Sequence, residues 1–137
     1  MSQRTNVRVN AKQRMEGPLH RFRIDEEIEA LRGEPDYGGG EAAQITLIHE
    51  GPLRVAAFAF HPGVALRDHR VSGPITVQLL SGRIIFSIED GRSIEMEPGS
   101  LLSLAGGLTH SVEALEESAM LLTVVQVGEP AKQGEDS

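Results

Sequence analysis

The 137-residue chain contains no cysteine, no tryptophan and only one tyrosine. The absence of cysteine excludes disulfide bonds, thiolate-ligated zinc, iron–sulfur clusters and a cysteine nucleophile, so any metal must be held by histidine or carboxylate side chains. Five histidines are present: His20, His49, His61, His69 and His110. They are therefore the first residues to consider as carriers of chemistry.

Long apolar runs are missing as well. No segment approaches the roughly 18 residues that a membrane-spanning helix needs, and the N-terminus lacks the apolar stretch of a signal peptide. The length suits one compact domain with a single core. We therefore expect a soluble, cytoplasmic protein with no membrane partner.

Charge is distributed unevenly along the chain, whose formal net charge is −7. The first 23 residues have a net charge of +5, which leaves −12 for the rest. An acidic body argues against nucleic acid as a partner, because phosphate binding needs a cationic surface. The basic arm has few aromatic residues for base stacking, so the same conclusion holds there.

Residues 1–40 are predicted to form an arm, a short helix and a glycine-rich loop. The helix is expected within residues 22–33, since Asp25 suits its N-cap and Gly33 its end. Its buried side would carry Ile24, Ile28 and Leu31. Residues 41–128 are predicted to form a β-barrel, and residues 129–137 a polar tail.

From Glu41 onwards, short apolar and β-branched runs alternate with Gly and Pro turns, which is typical of strands. Nine strands are predicted: Gln44–Glu50, Leu53–Phe60, Leu66–Val71, Ile75–Leu80, Arg83–Glu89, Ser93–Glu97, Ser100–Leu104, Thr109–Leu115 and Ala119–Val127. Asp90-Gly91 predicts a two-residue hairpin turn. This spacing indicates an all-β sandwich or closed barrel.

The histidines carry little signal one by one. His69 and His110 lie 41 residues apart in different predicted strands, and strand alternation predicts that Asp68 and Arg70 point away from His69. On pattern alone, each histidine is an isolated polar residue at a strand end. No His-x-His pair, nucleophile elbow or phosphate loop is present.

Two spacings nevertheless stand out. The first reads Gly63, five residues, His69-Arg70-Val71, three residues, Ile75, six residues, Gly82. The second reads Gly99, five residues, Ala105-Gly106-Gly107, two residues, His110, three residues, Ala114. Residues 53–125 thereby resemble the cupin superfamily, whose two motifs share these glycines and the first and last histidines. The departures are Val71 for a histidine, Ile75 for glutamate, Ala105 for proline and Ala114 for asparagine.

The resemblance implies a double-stranded β-helix, the jelly-roll barrel of cupins, with His69 and His110 in one cavity. Metal-binding cupins place three histidines and a glutamate there, so Val71 and Ile75 would remove two ligands. Two imidazoles alone hold a divalent ion weakly. Side chains able to complete the shell would be Gln78, Thr123, Glu95 or His61.

Three functions remain open at this point. The first is small-molecule binding in a pocket formed by His69, Val71, Ile75, Val77 and His110. The second is a metal-dependent enzyme such as a dioxygenase, isomerase or decarboxylase, with His69 and His110 as incomplete ligands to Zn, Fe, Mn or Ni. The third is metal-free acid–base catalysis, for which the chain offers only Tyr37 as an acid. A barrel that retains its histidines without chemistry is a further alternative.

We also expect a homodimer, because a small β-sheet protein must cover its exposed strand edges. Residues 7–9 or 44–48 are the segments predicted to add to a neighbouring sheet. Light scattering tests this expectation.

Overall fold

A computed structural model describes residues 18–35, 37 and 40–127. Within these ranges the chain forms one helix, α1 (Ile24–Arg32), followed by nine strands. They are β1 (Ala43–Glu50), β2 (Leu53–Phe60), β3 (Ala65–His69), β4 (Ile75–Ser81), β5 (Ile84–Ile88), β6 (Ser93–Met96), β7 (Leu101–Leu104), β8 (His110–Ala114) and β9 (Ser118–Val125). Residues 7–9 and the predicted tail at 129–137 lie outside the described residues.

The strands form two antiparallel sheets. The larger sheet has the order β1-β2-β9-β4-β7, and the smaller has the order β3-β8-β5-β6. β2 and β9 are neighbours in the larger sheet although they are far apart in the sequence, so this pairing joins distant segments of the chain. The predicted all-β sandwich with a short N-terminal helix is confirmed.

Two apolar clusters hold the layers together. One fills the space between the sheets and includes Phe60, Leu79, Ile84 and Met120. The other lies on the outer face of the larger sheet, where Ile28 and Leu31 of α1 pack against Leu47 of β1. β1 and β2 of the larger sheet are therefore covered on both faces, and β2 carries apolar residues on both sides, as in the run Ala57–Phe60.

The predicted N-cap of α1 is wrong by two residues. Arg23 occupies the cap with extended backbone and makes no side-chain cap hydrogen bond. Asp25 lies inside the first turn, where its Oδ1 accepts a hydrogen bond from the Glu26 N–H at 3.0 Å. Its charge still suits the positive end of the helix dipole.

The β5–β6 hairpin also differs from the predicted two-residue turn. The Ile88 N–H donates to the Arg92 carbonyl at 2.9 Å, which closes a loop of three residues. Of these, only Gly91 has a positive φ, of 97°. The loop is a turn followed by a left-handed glycine, and so Asp90 need not adopt the left-handed conformation that a type I′ turn requires.

The four glycines of the sequence motifs have left-handed backbone. Gly63, Gly82, Gly99 and Gly107 have φ between 85° and 92°. At Gly82 an added Cβ would lie 2.1 Å from the Ser118 Oγ, so both conformation and space require glycine there. These turns precede β3, β5, β7 and β8, respectively.

Within the described residues no helix is long and apolar enough to cross a membrane. Residues 44–48 belong to β1, which forms one edge of the larger sheet. The homodimer stays a prediction.

Candidate functional site

A cavity of about 380 Å³ lies between the two sheets. The larger sheet lines it with alternate residues of four strands, including Phe58, Ile75, Val77 and Met120. The smaller sheet contributes Phe86 from β5, among others. These side chains are buried and apolar, so they form a hydrophobic floor.

The remaining wall of the cavity is polar. Its polar lining residues are Gln44, Thr46, Arg54, His69, Arg70, Ser72, His110 and Gln126. They are partly or fully exposed, in contrast to most of the apolar lining. The cavity therefore has an apolar floor and a polar rim, an arrangement typical of small-molecule sites.

His69 and His110 face each other across the β3–β8 ladder. Their Cα atoms are direct partners in the strand register, and their ring centroids lie 6.4 Å apart. The His110 ring also stacks on Phe86, with centroids 5.3 Å apart. Two histidines separated by 41 residues are thus brought together by a single strand pairing.

The His110 ring has a defined tautomer in this arrangement. Its Nδ1 lies 3.2 Å from the Leu108 carbonyl oxygen. A carbonyl oxygen only accepts, so Nδ1 carries the proton and Nε2 keeps its lone pair when the ring is neutral. Burial lowers the pKa of His110 below its usual value; the Leu108 carbonyl opposes this shift, and the nearby His69 adds to it. The lowered pKa favours the neutral imidazole.

All five residues predicted to form a pocket contribute to the cavity wall: His69, Val71, Ile75, Val77 and His110. Whether they bind a ligand stays a prediction. Leu79, which shares the inward face of β4, is buried in the core beneath the cavity and does not line it.

Arg70, which alternation placed on the face opposite His69, contributes to the cavity wall, whereas Asp68 does not. Arg70 follows the end of β3, where strand alternation no longer applies. The β3–β8 register is irregular between Leu66 and His69, and Asp68 has a left-handed φ of 53°. Such a bulge adds a residue and breaks the alternation of faces. Leu66 and His69, three residues apart, consequently line the same cavity.

Sequence reasoning missed Arg54 and the glutamines at the rim. Arg54 lies on the same face of β2 as Ala56 and Phe58, so alternation within the predicted strand was the signal that pointed to it. Gln44 and Thr46 follow the same rule on β1. Gln126 lies just beyond β9 and offered no comparable signal.

None of the side chains suggested to complete a metal shell lines the cavity. Gln78 and Thr123 are not in the wall, Glu95 is ion-paired with Arg83, and His61 stacks on Tyr37. In the described parts of the chain, no group of three or more His, Asp or Glu side chains is placed to hold a metal ion.

The donor set therefore does not fit a divalent ion. His69 and His110 are two ligands where sites usually supply three or more. The positions that the cupin motif gives to further ligands hold Val71 and Ile75, which are apolar wall residues. Arg54 and Arg70 in the same wall add positive charge, which disfavours a cation further.

Tyr37 lies elsewhere, on the helix-covered outer side of the larger sheet. Its hydroxyl is 2.8 Å from Oε2 of Glu117 and 3.2 Å from the Phe60 carbonyl oxygen. Burial raises the pKa of Tyr37, and the hydrogen bond to Glu117 raises it further. The ring stacks on His61 at 3.8 Å between centroids. Tyr37 cannot serve as an acid beside His69 or His110, because it does not line the cavity.

Comparisons with known proteins agree with this geometry. No family model and no curated protein matches the sequence. Solved structures do match. A conserved protein of unknown function from Streptococcus pyogenes superposes with a TM-score of 0.67 at 21% identity, covering 84% of this chain and 94% of that one.

Two further matching structures are named as cupin proteins. A cupin superfamily protein from Desulfitobacterium hafniense gives a TM-score of 0.60 at 15% identity, over 63% of this chain and 78% of that chain. A cupin 2 conserved barrel domain protein from Leptotrichia buccalis gives 0.61 at 27% identity, over 66% and 43%. The chain has the fold of the small cupins, as the glycine spacings indicated.

Proposed function

We propose that this protein binds a small organic molecule in the cavity between its two sheets. The observation that carries the proposal is the division of the cavity wall into a buried apolar floor and an exposed polar rim. Apolar surface supplies binding energy, while a few polar groups orient the ligand. The volume of about 380 Å³ falls within the range of small-molecule sites.

A packing defect does not account for the cavity. Protein interiors are packed as densely as organic crystals, with few voids larger than a water molecule. A space of this size, lined by buried apolar side chains such as Phe58 and Met120, can accept the apolar part of a ligand.

Binding is favoured over metal-dependent catalysis because the donor set stops at His69 and His110. It is favoured over catalysis by a tyrosine acid because Tyr37 is held on the other side of the larger sheet. The proposal therefore assigns the histidines to ligand contact.

The test is calorimetric titration and thermal unfolding with a panel of sugars, organic acids and phenols. We expect at least one class to bind and to raise the melting temperature in a concentration-dependent way. Ala56→Phe adds a ring inside the cavity and should abolish that binding. Gln78→Phe adds a ring on the outer face of β4, where residue 78 is exposed, and should leave it unchanged. Absence of binding across the panel, or equal binding by both variants, contradicts the proposal.

A further inference from the structure

The cavity wall has a charge opposite to that of the molecule. Acidic residues outnumber basic ones by 20 to 13 in the sequence. The residues that line the cavity include Arg54 and Arg70 but no aspartate or glutamate. The acidic excess of the chain is therefore absent from this surface, and two guanidinium groups take its place.

The two arginines belong to opposite sheets. Arg54 is in β2 of the larger sheet, and Arg70 directly follows β3 of the smaller one. Both contribute to the same wall, so a ligand in the cavity has a cation available from each sheet. Arginine stays charged at every physiological pH, so this charge does not depend on the histidines.

Neither arginine is ion-paired with another residue in the described part of the chain. Across the described ranges, ion pairs occupy Arg23, Arg32, Arg83 and Arg92, each with an acidic partner. No ion pair or side-chain hydrogen bond joins Arg54 or Arg70 to another described residue. Arg54 is half-buried. A half-buried guanidinium without a carboxylate partner gains more from an incoming anion than an exposed one, since less water competes for it.

The rest of the wall suits the same ligand. The rim offers hydrogen-bonding side chains at Gln44, Thr46 and Ser72, and the floor offers aromatic and aliphatic surface such as Phe86. The neutral Nδ1 tautomer of His110 adds a polar group without negative charge. The wall therefore presents cationic and neutral hydrogen-bonding groups and no carboxylate.

We infer that the ligand of this cavity is a small organic anion, an oxyanion group on an apolar body, held by Arg54 and Arg70 with its apolar part on the floor. The inference rests on the proposed function and adds the ligand's chemical class. Arginine matches the two oxygens of a carboxylate or phosphate with paired N–H donors. Carboxylate and phosphate monoester share this chemistry, and the test separates them.

The probes are hexanoate, hexyl phosphate, hexanamide and hexylamine, each titrated into the full chain and followed by the backbone amide signals of its NMR spectrum. They share one apolar chain and differ in the head group. We expect the anions to shift signals of cavity residues and to bind about tenfold or more tightly than the amide, with the amine weakest. Whichever of hexanoate and hexyl phosphate binds more tightly identifies the head group that the cavity prefers.

Arg54→Gln and Arg70→Gln should each weaken anion binding about tenfold and leave amide binding unchanged. Arg67→Gln is the matched control, because it removes the same charge from β3 at an exposed residue that does not line the cavity. The dispersion of the amide signals verifies that each variant is folded.

The outcomes separate the two proposals. If hexanamide binds in the cavity as tightly as hexanoate and hexyl phosphate, the cavity binds small molecules but the anion inference is wrong. If Arg67→Gln weakens anion binding as much as Arg54→Gln does, the effect is general electrostatics and the inference is again wrong. If no probe shifts cavity signals, the anion inference fails, and the proposed function then depends on the wider panel.

Discussion

The larger sheet separates two regions in which a histidine stacks on an aromatic ring near an arginine. On its outer side, His61 stacks on Tyr37, and Nε of Arg32 lies 3.3 Å from Oε2 of Glu117. On its inner side, His110 stacks on Phe86, and the cavity wall contains Arg54 and Arg70. The two regions have similar residue types, but the arginine of the outer region is ion-paired with a glutamate, whereas the arginines of the inner region have no such partner among the described residues.

The outer region is closed by its own contacts. Glu117 accepts a hydrogen bond from the Tyr37 hydroxyl and forms an ion pair with Arg32. These contacts join α1 and the loop after it to the connection between β8 and β9. In the inner region the arginines have no acidic partner among the described residues. The difference teaches that the same side chains stabilise the fold where they are paired and remain available to a ligand where they are not.

The largest expected effect is on the outer side. Tyr37→Ala should lower the free energy of unfolding by about 3–5 kcal/mol, as for other large buried aromatic residues. Tyr37→Phe keeps the ring and should cost only about 1 kcal/mol, the usual contribution of a hydrogen bond. Urea unfolding measures both. Neither contact reaches the cavity, so Tyr37→Phe should bind hexanoate as wild type does. A loss of binding comparable to that of Arg54→Gln would break the distinction between the two regions.

A pair of histidine variants compares the two regions directly. His61→Ala removes a ring stacked on buried Tyr37 and should cost about 0.5–1.5 kcal/mol. His69→Ala changes an exposed residue and should stay within about 0.5 kcal/mol of wild type.

The same His69 variant tests the metal site. In protein purified without chelating resin, elemental analysis should give far less than one metal ion per chain in both wild type and His69→Ala. A stoichiometric metal that disappears in His69→Ala would show that the cavity completes a site that its donor set does not suggest.

The smallest expected effect is the pH dependence from His110. Burial holds the pKa of His110 in the folded protein below its unfolded value of about 6.5, so the unfolded chain takes up this proton first as the pH falls. The stability contributed by the neutral ring is present above that value and is lost as the pH falls below it.

Unfolding of wild type and His110→Gln between about pH 7.5 and 5 measures this difference. The two proteins share every other titrating group, so the loss on acidification should be smaller in the variant. An equal loss in both proteins would show that the burial of His110 has no such effect.

Much of the fold was predictable, because strands and turns follow from the preferences of neighbouring residues. Strand alternation and Gly or Pro turns marked all nine strands, and the boundaries differ by a few residues at most, as for β3. The errors have local causes. The N-cap of α1 lies at Arg23, which makes no side-chain cap hydrogen bond, while Phe22 and Ile24 on either side of it pack against the outer cluster. The β5–β6 loop gained one residue because only Gly91 takes the left-handed conformation.

The candidate site was less predictable. Glycine spacing by resemblance brought His69 and His110 together, while the residue pattern alone favoured two isolated histidines. Arg70 lines the cavity although alternation placed it opposite His69, because it follows the end of β3, where the period of two no longer applies. The bulge at Asp68 brings Leu66 and His69 to the same wall, and a bulge leaves little trace in sequence. Gln126 joined the wall from beyond the end of a strand.

The sequence by itself determined nine strands, their turns and the glycines at tight corners, and the absence of cysteine limited any metal ligands to histidine and carboxylate side chains. Only the tertiary structure decided which charges meet. Glu117 and Arg32, 85 positions apart, neutralise each other on the outer side of the larger sheet, whereas Arg54 and Arg70 reach the cavity from two sheets with no carboxylate in its wall. The physical reason is that charge pairing depends on distances of a few ångströms, and strand order across the sheets, not position in the chain, sets those distances.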